Sequence, residues 1–212
     1  MMELELAALL SSRICHDLIS PVGALANGVE VLEDENDGEL RESALRLIGS
    51  SAAQASAKLQ FARLAYGSAS AQGGSIDTAD AEHVARELFK SMKVTLDWQL
   101  TPRIAHKDDV KLVLNLIQIA AEAAPRGGVI RITGDTGDAD GAGPEGLIVS
   151  AEGPNARLRE EVAQLLAGVE DEALLDPRTV QPYLAALLAR RRGLTLVAEA
   201  VQDRVVLTGR RG

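Results

Sequence analysis

The sequence predicts an α+β protein, an N-terminal helical hairpin followed by a layered α/β domain. Three observations lead there. Residues 3–66 carry apolar side chains at helical spacing, broken once by a polar turn. Residues 67–75, GSASAQGGS, read as a junction. Beyond them, short alternating segments interleave with apolar helical ones, the pattern of helices packed on a sheet. The expected domains are therefore 1–70 and 76–212.

In the first helix, expected over 3–33, Ile14, Leu18, Val22, Leu25, Val29 and Leu32 recur at spacings of four and three. They form a stripe about 80° wide. Residues 34–38, DENDG, form the turn, and residues 39–66 continue as a second helix with Leu40, Ala44, Leu47, Leu59 and Tyr66 on its apolar side. A short turn between helices makes an antiparallel hairpin. Two helices bury only part of their apolar surface, so two copies are expected to pair into a four-helix bundle. Packing of the hairpin onto the rest of its own chain is the competing solution.

The second half alternates. Helices are expected at 77–92, with Asp77 or Thr78 as cap, and at 107–124, 156–167 and 179–192. Strands are expected at 93–100, 129–133, 147–151, 194–198 and 204–208. A Gly/Asp-rich loop separates the second and third strands, and a turn at 201–203 joins the last two.

The 212 residues are 46% hydrophobic and 25% charged, enough for a sizeable core. Aromatic residues are only 2%, so Leu, Val, Ile and Ala must fill it. A net charge of −9 argues against gripping a phosphate backbone, and Arg190, Arg191 and Arg192 read as a solvated helix end. The single cysteine, Cys15, excludes an internal disulfide. It reads as a small packing residue, because neighbouring helical side chains diverge by about 100° and Cys15 does not face His16. No apolar run reaches the roughly 18 residues that span a bilayer. With Glu3 and Glu5 at the start, the expectation is a cytoplasmic chain with no membrane or nucleic-acid partner.

Of three histidines, His83 lies in a charged helical stretch and reads as a surface residue, while His106 follows a proline turn and reads as a loop residue. Neither has metal-ligand spacing, so no metal site is expected. His16 differs. On the helical wheel it points about 150° from the centre of the apolar stripe. Ser12, Ser20, Gly23 and Asn27, all small or polar, share its outer face. Pro21 then removes one helical hydrogen bond and frees the carbonyl of Asp17 beside the imidazole. Free imidazole titrates near pH 6.5 and is mostly neutral at pH 7, so such a residue suits nucleophilic attack on phosphorus. The pattern alone slightly favours an ordinary surface histidine over a functional one.

His16 to Val22, HDLISPV, resembles the phosphoacceptor motif of two-component sensor kinases: a histidine, an acidic residue, and a proline five positions on. The resemblance implies that the hairpin is a dimerisation and histidine-phosphotransfer domain, and that the second half is a histidine-kinase ATPase-like α/β sandwich. That second likeness breaks at the nucleotide motifs. The kinase pattern NLLxNA reads NLIQIA here, so Asn115 matches but Ile119 stands where the Mg²⁺-holding asparagine belongs. Ala151 occupies the position of the adenine-reading aspartate. The phosphate-cradling glycine motif corresponds to residues 178–188, which contain no glycine. The expected second domain is therefore degenerate and lacks the nucleotide site.

A phosphoacceptor hairpin joined to such a domain resembles the ChpT-type histidine phosphotransferases of bacterial phosphorelays. SRICHDLISPVGALANGVE, residues 12–30, is similar to that family's signature, and VQPYL, residues 180–184, to a second one. The resemblance spans essentially the whole chain. It implies a homodimer in which His16 takes a phosphoryl group from the receiver domain of a hybrid kinase and passes it to response-regulator receivers. No cofactor of its own is implied; the partner receiver supplies Mg²⁺. Asp17 would orient the imidazole or accept its proton. Arg13, Ser20, Ser12 and Asn27 are candidates to contact the phosphoryl group or the receiver. The alternatives are a divergent ATP-dependent kinase core and a non-catalytic dimeric adaptor that docks receivers.

Overall fold

The computed structural model describes residues 3–34, 37–67, 74–101, 103–136 and 146–211. Two long helices, α1 (Glu3–Asp34) and α2 (Gly38–Ala65), form the hairpin. The Asp37 carboxylate starts α2 by accepting from the Glu39 amide at 2.8 Å, an N-cap that satisfies one orphan donor. The helices approach closely at Gly28, where a Cβ would lie 2.6 Å from Ile48 Cγ1. A larger residue there would force the hairpin apart.

After the hairpin come β1 (Ser75–Asp77), α3 (Thr78–Phe89), β2 (Val94–Thr101), β3 (Ile104–His106) and α4 (Lys107–Ala123). They are followed by β4 (Gly128–Asp135), β5 (Gly146–Glu152), α5 (Glu160–Leu166), a 3-10 turn at Glu172–Leu174, α6 (Val180–Arg191), β6 (Leu194–Val201) and β7 (Arg204–Arg211). Five strands form one sheet in the order β2-β4-β5-β7-β6. β2 and β4 run parallel, with Leu96 opposite Ile130; the remaining neighbours are antiparallel, with Val149 opposite Leu207. Ile130, Ile132, Leu147, Val149, Val205 and Leu207 are buried, whereas Val129, Ile148 and Val197 on the opposite face are exposed. The sheet is thus covered by helices on one side, consistent with the alternation of buried and exposed residues along β4.

α4 is the central helix. Leu112, Leu114, Leu116 and Ile117 are fully buried, because α4 lies between the sheet, α6 and the foot of α2. Phe61 and Ala65 of α2 join the same core as Leu88, Phe89 and Leu114. Packing of the hairpin onto its own chain is therefore realised at the foot of α2. Asn115, also fully buried, spans the junction: its Nδ2 donates to Lys111 O at 2.8 Å and to Ala65 O at 3.3 Å.

Several elements differ from expectation. The helix expected over 156–167 forms only at Glu160–Leu166. Asn155 turns with φ 60°, and the Arg157 amide donates to Ala123 O, so this stretch serves the end of α4 before it can coil. β1 and β3 pair with each other and were not expected; at three residues each they are too short to show a period. His106 is the N-cap of α4 rather than a loop residue, its Nδ1 accepting from the Asp108 amide at 3.2 Å. His83 is exposed, as expected. Cys15 is exposed rather than packed within the chain, because it sits on a side of α1 that α2 does not cover. Of the junction at 67–75, residues 68–73 lie outside the described residues, as do 137–145 of the Gly/Asp-rich loop.

A buried ion pair locks α4 to the end of α6. Arg192 donates from Nε and Nη2 to the two oxygens of Asp109, at 2.8 and 2.9 Å, and Asp109 is 1% exposed. Burial pushes the Asp109 carboxyl above its ordinary range, with the Arg192 hydrogen bonds pulling the other way. Stability tied to this group is present at low pH and falls as pH rises through its raised folded value. Arg192→Leu removes the opposing pull and strands the carboxylate. It should cost about 3 kcal/mol, with a larger loss at about pH 8 than at about pH 5 in urea denaturation.

Candidate functional site

The candidate site is built on the middle of α1. α2 covers the side of α1 that carries Pro21 and Gly28, both buried. His16 lies well round from that side and its side chain is 61% exposed. Ser12, Ser20, Gly23 and Asn27 are exposed on the same strip, so the side chains along it are small or polar. A large body with a protruding reactive group can approach it from solvent.

The ring is oriented from one side. His16 Nδ1 lies 3.3 Å from Asp17 Oδ1. This contact favours the tautomer with its proton on Nδ1, leaving the Nε2 lone pair outward. The other Asp17 oxygen, Oδ2, accepts from Arg13 Nε at 3.0 Å. One turn of helix separates the two, so the guanidinium lies directly below the carboxylate.

Arg13 stands otherwise than expected from the sequence. It is 7% exposed and does not face the approach to the imidazole. Its Nη2 donates to Glu122 Oε1 of α4, and its Nη1 to the Arg178 carbonyl just before α6, at 3.4 Å. Burial opposes its charge, but Glu122 and Asp17 together outweigh that and hold it protonated. It therefore reaches the imidazole only through Asp17. Behind Glu122 the network continues. Gln118 Nε2 donates to Glu122 Oε1 at 3.5 Å, and Gln118 Oε1 accepts from Tyr66 Oη at 3.2 Å and from Gln181 Nε2 at 2.9 Å. Burial pushes the Tyr66 phenol up, so it stays a neutral donor. The chain Glu122–Arg13–Asp17–His16 thus connects the α/β domain to the ring. The sequence carried no local signal for Glu122 or Gln118, which lie about a hundred residues from Arg13.

Lys58 of α2 also meets this turn. Its Nζ donates to the backbone carbonyl of Asp17 at 2.7 Å. This is the carbonyl that Pro21 deprives of its helical donor. Beneath it lies a cavity of about 220 Å³, bordered by Arg13, Asp17, Gln54, Lys58, Tyr66 and Glu122 among others.

The positions that correspond to kinase nucleotide contacts are filled differently. Ile119 is 4% exposed and Ala151 is fully buried, both within the apolar core. The α6 segment Val180, Gln181, Pro182 and Tyr183 is buried as well. Asn115, which keeps the kinase residue type, spends its amide on two carbonyls. Among the described residues, no group of three or more His, Cys, Asp and Glu could hold a metal ion. No helix among them is long and apolar enough to cross a membrane.

Fold and site together define a class: a helical hairpin that presents one surface imidazole, linked through Asp17, Arg13 and Glu122 to an attached α/β domain. Residues 78–204 match the family model described as histidine phosphotransferase C-terminal domain. Over 205 residues the chain is 41% identical to the protein phosphotransferase ChpT of Brucella abortus (strain 2308), covering 97% of this chain and 95% of that one. It also superposes on the solved structure of a bacterial phosphotransferase with a TM-score of 0.86 and 38% identity, over 99% of this chain and 97% of the other. The chain belongs to the histidine phosphotransferase family and is a phosphotransferase of a phosphorelay.

Proposed function

We propose that His16 is the phosphoacceptor, that its phosphate comes from the aspartyl-phosphate of a hybrid-kinase receiver domain, and that response-regulator receivers take it away. The observation that carries this reading is the exposed ring whose Nδ1 faces Asp17. The Nε2 lone pair attacks phosphorus, and the bond from phosphorus to the receiver's carboxylate oxygen breaks. The receiver keeps that electron pair as a free carboxylate. Positive charge developing on the ring is met by Asp17 through the Nδ1 proton. The reverse sequence delivers the phosphoryl group to the next receiver. Alignment and charge neutralisation dominate such transfers, and an incoming receiver brings its own divalent cation. Hence the chain needs no cofactor of its own.

Ser12, Ser20 and Asn27 are proposed to border the docked receiver, since they share the exposed strip with the ring. The chain acts as a homodimer in the cytoplasm in this reading. Ile19, Val22 and Val29 of α1 are 71, 52 and 46% exposed, and Leu40, Leu47 and Leu59 of α2 are exposed too, an apolar surface that suits a four-helix bundle.

The source of the phosphate distinguishes this reading from an ATP-dependent kinase. A phosphorylated receiver should label the chain with acid-labile phosphate, while Mg-ATP alone should leave it unlabelled and show no saturable binding at micromolar concentration. Micromolar Mg-ATP binding with self-labelling would instead establish the kinase. Ile119 and Ala151 argue for the first result, because an apolar side chain neither ligates Mg²⁺ nor reads an adenine amine.

A further inference from the structure

Pro21 is buried inside α1 and cannot donate to the carbonyl four residues earlier. A helix usually leaves such a carbonyl to solvent and bends around the gap. Here the gap falls at Asp17, whose carboxylate faces His16. The carbonyl is held from the neighbouring helix instead, by Lys58 Nζ at 2.7 Å. Asp17 and Glu122 carboxylates border the same cavity, yet the ammonium is given to a neutral carbonyl.

We infer that Lys58 is a positioning residue for phosphoryl transfer: it replaces the hydrogen bond lost at Pro21 and so fixes the turn of α1 that aims His16 and Asp17. The inference rests on His16 being the phosphoacceptor. The tilt of the Asp17 carbonyl sets the peptide plane after Asp17 and thereby the direction in which the preceding side chains leave the helix. With Lys58 in place, the Asp17 carboxylate is tied through Arg13 and its carbonyl through α2, one on each side of the residue. Without it the carbonyl can swing outward, and the contact between Asp17 and Nδ1 is lost. The proline gives α1 a turn that is not locked by its own ladder, and Lys58 locks it from outside.

The test is a double-mutant cycle, because Pro21→Ala returns an amide to the Asp17 carbonyl and makes Lys58 redundant. Uptake of phosphate by His16 from a phosphorylated receiver is timed in wild type, Lys58→Met, Pro21→Ala and the double variant. Lys58→Met should slow uptake about tenfold when Pro21 is present and less than about twofold when Pro21→Ala is also present. Lys58→Arg, which keeps a donor in reach, should stay within about threefold of wild type. Thermal unfolding is followed for every variant; if Lys58→Met does not fold, Lys58→Gln, which falls short of the carbonyl, takes its place. Equal slowing in both backgrounds, or none in either, overturns the role of Lys58 while leaving His16 as acceptor. Phosphate located on another residue of the wild-type chain overturns the underlying assignment instead.

Discussion

His16→Ala should abolish phosphate uptake from a phosphorylated receiver, a loss of at least about a thousandfold, while the protein keeps its fold. In the proposed function the imidazole is the bond-forming group, and removing a nucleophile leaves no partial route. Its side chain is 61% exposed and contributes little to packing. Stability should therefore change by less than about 0.5 kcal/mol, the usual range for exposed positions. Binding of the receiver should persist, because Ser12, Ser20 and Asn27 still border the face. A dimeric adaptor that only docks receivers gives the opposite result, unchanged relay output in His16→Ala. Rates of labelling by phosphorylated receiver, measured beside a binding isotherm for the unphosphorylated one, separate the two.

Arg13→Met should have the second largest effect, on both stability and transfer. Arg13 is 7% exposed and is bonded to Asp17, Glu122 and the Arg178 carbonyl. Taking away the cation leaves two carboxylates facing each other across an apolar side chain. Breaking a fully buried pair costs about 3–5 kcal/mol, but Asp17 and Glu122 retain 27 and 40% side-chain exposure, so about 2 kcal/mol is expected. Asp17 also loses the bond that holds Oδ2, and with it the orientation of the carboxylate toward Nδ1. Transfer should slow about tenfold even under conditions where the variant is fully folded. Urea denaturation and single-turnover labelling read the two effects separately. Slowing without destabilisation would mean that Arg13 contacts the receiver directly, and destabilisation without slowing would mean that the clamp on Asp17 is irrelevant to the chemistry.

Much of this architecture is written locally. The hairpin follows from helical periodicity and a polar turn, and α4 from a long apolar run. The exposure of His16 follows from its place on the wheel. The apolar stripe of α1 was legible, but its division was not. Ile14, Leu18 and Leu25 are partly covered, while Val22 and Val29, on one flank of the stripe, stay about half exposed. One stripe thus serves two surfaces, and periodicity cannot tell them apart. Arg13 was misplaced for a similar reason. At one turn from His16 it reads as a neighbour of the ring, yet a partner 109 residues later draws it inward. Lys58 was invisible because its target is a backbone carbonyl whose availability depends on Pro21 in another helix. Ile119 and Ala151, by contrast, were readable as departures from the kinase pattern, because replacing a polar contact residue by an apolar one is visible without coordinates.

The most direct measurement of the central claim is the location of the phosphate. The chain, with its histidines labelled with ¹⁵N, is incubated with a phosphorylated receiver and examined by ³¹P and ¹⁵N NMR. A single phosphoramidate on Nε2 of His16 is the predicted result, with His83 and His106 unmodified. Phosphate on Nδ1, on either other histidine, or on no histidine at all would contradict the account.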